Sequence, residues 1–332
     1  MNDFEYLRAE SLQNASGEQS RDGSRFLAGG TTQVDLMKCG VEKPARLIDI
    51  TFLPGLSDIT VTPHLIRIGA LAKMSQVAAH PGIKRSAPVL SESLWRAASA
   101  QLRNMATIGG NLMQRTRCTY FRDPVAYSAC NKRTPGSGCA AIHGNNRNHA
   151  VLGISDSCIA IYPGDFAVAL TAFDARIVLQ DPDGQIRRVN IREFYLLPGE
   201  SPHLEHDLKP GELITAVEIP VVPALIHSHY LKVRDRASYE FAAASAAVGV
   251  ELEADGKTVR DVRIAMGGIG TVPWRATDVE NQLKGKAFDE ETLRLITAVV
   301  SQGARSSGHN DFKITLAPRV ATRALLTAGG IS

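Results

Sequence analysis

The chain has 332 residues, 44% of them hydrophobic and 21% charged, which is enough apolar material for two packed cores and excludes a disordered or fibrous protein. A formal charge of +3, carried by basic residues spread along the chain, leaves no footprint for nucleic-acid binding. No apolar run is long enough to span a bilayer, and five cysteines in a chain of this length do not make a disulfide scaffold. The start, Met1-Asn2-Asp3-Phe4-Glu5, is mixed and acidic and does not read as a signal peptide. A cytoplasmic protein is expected, or a periplasmic one exported already folded with a signal-bearing partner.

Residues 25–28 read as a strand running into Gly29-Gly30, residues 31–38 as a short helix, and residues 46–50 as a second strand. Residues 65–70 alternate apolar with other residues, the pattern of a strand with one buried face. Residues 91–105 read as one helix capped by Ser91, with Leu94, Ala97, Ala98, Gln101 and Leu102 on one face. Asp181-Pro182-Asp183-Gly184 is a turn between two apolar runs and predicts a β-hairpin. Ile219-Pro220-Val221-Val222-Pro223 closes a strand with two prolines and reads as a linker, dividing the chain into units 1–222 and 224–331. In the second unit Ala254-Asp255-Gly256-Lys257 makes a turn between strands, and residues 277–283 and 290–301 read as amphipathic helices. The fold class is α+β.

Two glycine stretches stand out. Phe26-Leu27-Ala28-Gly29-Gly30-Thr31-Thr32-Gln33 runs a strand into glycines and hydroxyl residues. Backbone without a Cβ approaches a diphosphate closely, and successive N–H groups with the Thr hydroxyls can cradle its oxygens. A tight strand-to-helix turn explains the same residues equally well. The second stretch, Ala106-Thr107-Ile108-Gly109-Gly110-Asn111-Leu112, offers another close-approach backbone, or a glycine cap closing the helix before it. Neither is the G-x-G-x-x-G pattern of dinucleotide folds. Met266-Gly267-Gly268-Ile269-Gly270 reads as a turn.

Cys118, Cys130, Cys139 and Cys158 fall in one window with the spacing C-x11-C-x8-C-x18-C, while Cys39 stands apart. No C-x2-C pair occurs, so spacing alone leaves zinc, an iron–sulfur cluster and four unrelated thiols open. The window is rich in loop formers, with few other means of folding, and Arg115, Arg117, Arg122, Lys132 and Arg133 would offset thiolate charge. His143 and His149 are further candidate zinc ligands. Cys118 lies seven residues after Asn111, within about 25 Å even at full extension.

Taken together, the Ala-Gly-Gly-Thr loop at 28–31, Thr-Ile-Gly-Gly-Asn at 107–111, Pro163-Gly164-Asp165-Phe166-Ala167, Lys232 in Tyr230-Leu231-Lys232-Val233-Arg234 and Arg263-Ile264-Ala265-Met266-Gly267-Gly268 resemble the flavin-binding subunit of the xanthine dehydrogenase and carbon monoxide dehydrogenase family over the whole chain. Within it, Gln114 to Cys118, Cys130 to Arg133 and Pro135 to Cys139 are similar to the iron–sulfur insertion of bacterial periplasmic aldehyde oxidoreductases. The resemblance implies a two-part FAD-binding domain of the vanillyl-alcohol-oxidase type, followed by a smaller α+β domain. It places FAD on Phe26, Leu27, Ala28, Gly29, Gly30, Thr31, Thr32, Gln33, Thr107, Gly110, Asn111 and Gln114. Asp165 would meet the ribityl chain or ring edge, Ile214 would pack nearby, and Lys232 would lie near the isoalloxazine. From the residues alone, Asp165 also reads as a helix cap and Lys232 as a solvated strand residue. A [4Fe–4S] cluster is implied on Cys118, Cys130, Cys139 and Cys158, within an insertion at about 115–158. Thr32 and Gln33 depart from the family, which has Asn or Asp and then Leu there; Gly164 replaces a usual serine.

The function implied is electron transfer without substrate chemistry of its own. A large subunit with molybdenum cofactor would oxidise an aldehyde, and a small [2Fe–2S] subunit would feed this chain. A self-contained FAD-dependent oxidase and a zinc-stabilised binding module are the competing readings. Cofactor content separates them.

Overall fold

The computed structural model describes residues 1–331 and arranges them around three sheets that follow one another along the chain. β1 (Glu5–Arg8), β2 (Ser24–Leu27) and β3 (Arg46–Asp49) form a parallel sheet in the order β1-β3-β2. β3 is paired on both edges, and its Leu47, Ile48 and Asp49 are all buried, as a covered parallel strand requires.

β4 (Ile59–Val61), β5 (Leu65–Gly69), β6 (Arg176–Gln180), β7 (Ile186–Asn190) and β8 (Leu213–Pro220) form an antiparallel sheet in the order β4-β5-β8-β6-β7. In β5 the expected alternation appears as buried Ile66 and Ile68. The hairpin of β6 and β7 closes as predicted, with Asp181 Oδ1 accepting from the Gln185 N–H at 2.8 Å. Between β5 and β6 the chain makes its longest excursion, which carries the second glycine stretch and all four clustered cysteines.

The third sheet is antiparallel: β9 (Ser228–Val233), β10 (Ala244–Leu252), β11 (Val259–Gly267) and β12 (Trp274–Arg275), in the order β12-β11-β10-β9. Helices Thr277–Leu283, Glu290–Thr297 and Phe312–Ala328 share its apolar core.

Three expectations need correction. The helix expected over 91–105 is two, Pro88–Arg96 and Ala100–Met105, broken where Ala98 takes φ +50°. Ser99 caps the second, accepting from the Leu102 N–H at 3.3 Å, and Pro88 opens the first. Ser91 lies inside the first helix and donates to the Ala78 carbonyl at 2.6 Å. The helix expected through Ser301 is α-helical to Thr297 and then tightens to a 3₁₀ turn, Ala298–Ser301. The segment 219–223 is no free linker: β8 runs through Pro220, Val221 N–H donates to the His64 carbonyl at 3.0 Å, and Leu225 is fully buried just beyond.

The two halves share a core, in which Phe173 of the first packs with Tyr230, Ala247 and Ala265 of the second. β10 passes so close that a Cβ on Gly249 would overlap the Ala224 carbonyl oxygen and stand 2.6 Å from the Phe173 ring. Gly249→Ala is therefore expected to cost about 1–3 kcal/mol. It should move one cooperative unfolding transition to lower denaturant. Two transitions, with only the later-melting one unchanged, would mean that the halves unfold independently.

Candidate functional site

The first glycine stretch leaves β2 at Leu27, turns at Gly30 with φ +72°, and enters the helix Gln33–Lys38. The second is the start of a short helix and not a cap closing the previous one. Thr107 accepts from the Gly110 N–H at 3.2 Å at the head of Ile108–Leu112. Its position is tied to the extension of β5, because Ile108 N–H donates to Ala72 and Gly109 N–H to Ala70. The two stretches meet at Gly29. A Cβ there would overlap the Met105 carbonyl oxygen and stand 2.8 Å from its carbon and 3.0 Å from Ala106 Cα.

Beside this contact opens a cleft of about 480 Å³. Its walls include Phe26, Ala28, Gly29, Gly30, Thr31, Thr32, Gln33, Thr107, Gly110 and Ile214, so most of the predicted residues converge. Leu27, Asn111, Gln114, Asp165 and Lys232 are not on those walls. Asn111 sits behind, its Nδ2 3.6 Å from Met74 Sδ, and Gln114 Nε2 donates to the Asn111 carbonyl at 2.9 Å. Asn111 Oδ1 and Gln33 Nε2 are buried with no protein partner. The opposite wall includes His203, Leu204, Leu208 and Lys209 from the irregular run into β8. No local signal marks that run, because only the sheet topology brings it alongside.

Asp165 and Lys232 form a site of their own. Lys232 Nζ lies 2.8 Å from Asp165 Oδ2 and donates to the Arg96 carbonyl at 3.1 Å. Tyr230 donates to the other carboxylate oxygen at 2.6 Å. Tyr230 and Lys232 are two apart on β9, so both side chains leave the same face. Burial pushes the Asp165 carboxyl up, opposed by Lys232. Neither bland reading of these two holds: the Lys232 side chain is 1% exposed, and the carboxylate caps no helix although Asp165 begins one. Asp165 also borders a second cavity of about 160 Å³, with Pro163, Gly164, Phe241 and Ser245.

Cys118, Cys130, Cys139 and Cys158 line one small cavity. Cys130 and Cys139 face each other across an antiparallel bridge. Burial pushes the Cys118 thiol up to about 12 and the Cys158 thiol up to about 11. Among the described residues no three His, Cys, Asp or Glu side chains converge on a single metal position. His149 Nε2 lies 3.2 Å from Cys118 Sγ, whereas His143 is exposed. Cys39 is outside the group, 3.6 Å from the Arg122 guanidinium.

The surrounding cations are not free to balance thiolates as their number suggested. Arg115 pairs with Glu42 and Glu205, and Arg117 and Arg122 both pair with Asp35. Arg133 donates to the carbonyls of Tyr120, Phe121 and Tyr127 and fastens the loop. Lys132 pairs with Glu205 at 2.8 Å and is the cation that draws the Cys158 thiol downward against burial. Nor does the segment lack other means of folding. Phe121, Ala141 and Ile159 pack around the cysteines with Leu36.

Residues 2–222 match the FAD binding domain in molybdopterin dehydrogenase, and residues 229–328 match the CO dehydrogenase flavoprotein C-terminal domain. The chain is 43% identical to the aldehyde oxidoreductase FAD-binding subunit PaoB of Escherichia coli over 99% of both chains. It is 28% identical to the glyceraldehyde dehydrogenase medium chain of Sulfolobus acidocaldarius over 90% of this chain and 87% of the other. Among solved structures, reconstituted CO dehydrogenase from Oligotropha carboxidovorans superposes with a TM-score of 0.76 at 23% identity, covering 100% of this chain and 99% of that one, a likeness of fold.

Two substitutions probe the geometry. Gly29→Ala must separate the glycine loops, and an overlap costing about 1–3 kcal/mol, if felt wholly in the cleft, corresponds to FAD binding weaker by about five- to 150-fold. Fluorescence titration of flavin-free protein reads this directly; unchanged affinity would show that the loop contact does not shape the cleft. Lys232→Met leaves the buried Asp165 carboxylate without its cation. A loss of about 3–5 kcal/mol in unfolding free energy is expected, and a loss below about 1 kcal/mol would place the pair among weak surface bridges.

Proposed function

The chain belongs to the FAD-binding subunits of the molybdenum hydroxylase family and is an oxidoreductase subunit, and we propose that it is the electron-transfer subunit of a three-subunit, molybdenum-containing aldehyde oxidoreductase. The observation that carries this reading is the convergence of both glycine stretches on one cleft, locked by the Gly29–Met105 contact. The aldehyde assignment rests on the similarity to PaoB along the whole chain. A large subunit with molybdenum cofactor and a small [2Fe–2S] subunit are the proposed partners, with an external acceptor downstream. Among the described residues no helix is long and apolar enough to cross a membrane.

The cleft fits FAD by two criteria. The backbone of Gly29, Gly30 and Gly110 lines it without intervening side chains, and Gln33 Nε2, on its wall, is a buried polar atom lacking a protein partner. Phe26 to Gln33, Thr107 to Asn111 and Ile214 are the proposed holders. Asp165, fixed by Lys232 and Tyr230, would present a carboxylate of set orientation to the ring end. FAD, when bound, exchanges electrons in pairs or singly, which suits a subunit placed between a one-electron donor and a two-electron acceptor. This chain's own residues bind and orient it.

The four cysteines are proposed to hold a [4Fe–4S] cluster. They supply its donor set of four thiolates around one small cavity. Such a cluster supplies one-electron chemistry. Because burial favours the protonated thiol at Cys118 and Cys158, loading there must release protons.

The test is co-expression with the partner subunits. The expected outcome is aldehyde turnover by the complex with an artificial acceptor, none by this chain alone, and FAD released by acid. Cys118→Ser, Cys130→Ser, Cys139→Ser and Cys158→Ser should each lower iron and sulfide, and Cys39→Ser should not. Aldehyde turnover by the isolated chain at the complex's rate would favour the self-contained oxidase. Zinc in place of iron in anaerobically prepared protein would overturn the cluster.

A further inference from the structure

His149 is buried beside the cysteine cavity, yet no role is given to it by the four-thiol site. Its Nε2 lies 3.2 Å from Cys118 Sγ, a hydrogen-bonding distance for sulfur. The other ring nitrogen, Nδ1, is buried with no partner. A proton on Nδ1 would strand an N–H donor in an apolar site, whereas a proton on Nε2 leaves only an acceptor unmet, the cheaper defect. A proton on both nitrogens would strand the same donor, so the ring carries one proton, on the face toward sulfur.

The ring is held there by the other half of the molecule. His149 N–H donates to the Asn146 carbonyl at 2.9 Å. Asn146 in turn donates to the Ser307 carbonyl at 2.6 Å and accepts from the His309 N–H at 2.8 Å. Asn310, fully buried, donates to the Ala150 carbonyl at 2.9 Å on the other side of the histidine. Tyr120 leans against the imidazole at 6.0 Å between ring centres. Two buried asparagines on either side of one residue make a clamp for its orientation.

We propose that His149 is a positioning and tuning residue of the cysteine site, donating Nε2–H to the Cys118 sulfur and thereby raising the reduction potential of the cluster held there. The inference rests on the [4Fe–4S] reading. A donor to a ligand sulfur stabilises the more negative, reduced cluster over the oxidised one, so its removal lowers the potential. The effect passes through Cys118 alone; the imidazole is not a ligand.

The experiment is a mediated redox titration of the intact complex with dithionite, followed by electron paramagnetic resonance, on wild type, His149→Phe and His149→Gln. His149→Phe keeps ring volume without a donor. It is expected to retain iron and to shift the one-electron equilibrium about tenfold toward the oxidised cluster, about 59 mV more negative. His149→Gln keeps an N–H of similar reach and should stay within about threefold of wild type. A full iron complement with wild-type potential in His149→Phe overturns the proposal while leaving the cluster reading intact. If His149→Phe loses iron, His149→Gln decides: iron and potential near wild type support the hydrogen bond, and loss of either overturns it. Strong coupling to ¹⁵N-labelled histidine in pulsed spectra of the wild type would mean direct ligation and also overturn it. Wild-type complex without iron would sink the cluster reading itself, and this inference with it.

Discussion

The Met105 carbonyl occupies the space that a β-carbon on Gly29 would fill, and the cleft opens beside that contact. The contact joins two separately built pieces. The first loop is placed by β2 in the parallel sheet, the second by backbone hydrogen bonds to Ala70 and Ala72, which continue β5 of the antiparallel sheet. Neither sheet specifies the other's position through its own ladder. Their relative placement is set by the shared packing of Ile48 and Ile50 with Leu71 and Leu213 and by the point where bare backbone meets bare backbone, and the 480 Å³ cleft is the space left alongside. Glycine at this point loses more backbone entropy on folding than any other residue would, a cost offset by the approach it permits.

The second half of the chain is bound to the first by polar groups as well as by apolar packing. The Lys232–Asp165 pair is almost entirely withdrawn from water, and a buried pair of this kind seldom adds much stability, because desolvation consumes the attraction. Its remaining hydrogen bonds go to Tyr230 and the Arg96 carbonyl, so each charge is met by specific partners. Only one docking of β9 on the helix Asp165–Ala172 satisfies all of them. Asn146 and Asn310 do the same where the cysteine segment meets residues 306–310. The arrangement favours one geometry of the two halves over its neighbours.

How much of this was legible in the sequence depended on the range of the cause. Strands, the Asp181–Gly184 turn and both glycine stretches are local and were readable from pattern. The break at Ala98 was missed because Ser91 and Ser99 are equally good caps in sequence, and only packing of Ser91 onto Ala78 decides between them. The helix Phe312–Ala328 escaped notice although it is the longest, since Pro318 in its interior argues against it. Burial of Ala317, Val320, Ala321, Ala324 and Leu325 in the core of the third sheet overrides that local objection. Lys232 looked solvated for a similar reason: its partner is 67 residues away, and no spacing rule spans that distance. Family resemblance, and not periodicity, singled it out.

The cysteine segment is a loop-rich window with contacts of its own besides its thiols. Small metal domains often have no core, and then binding and folding are one event. Here Leu36, Phe121, Ala141 and Ile159 pack around the thiols, Arg133 gathers three carbonyls, and Asn131 bridges Ser157 and Gly138 at 2.9 and 2.8 Å. The arginines that seemed reserved for charge compensation are spent on Asp35, Glu42 and Glu205, which pin the segment to the wall of the cleft. Glu205 borders the cleft and grips both Arg115 and Lys132, with Lys132 on the cysteine cavity. One buried carboxylate therefore lines the cleft while pairing with a cation that lines the cysteine cavity.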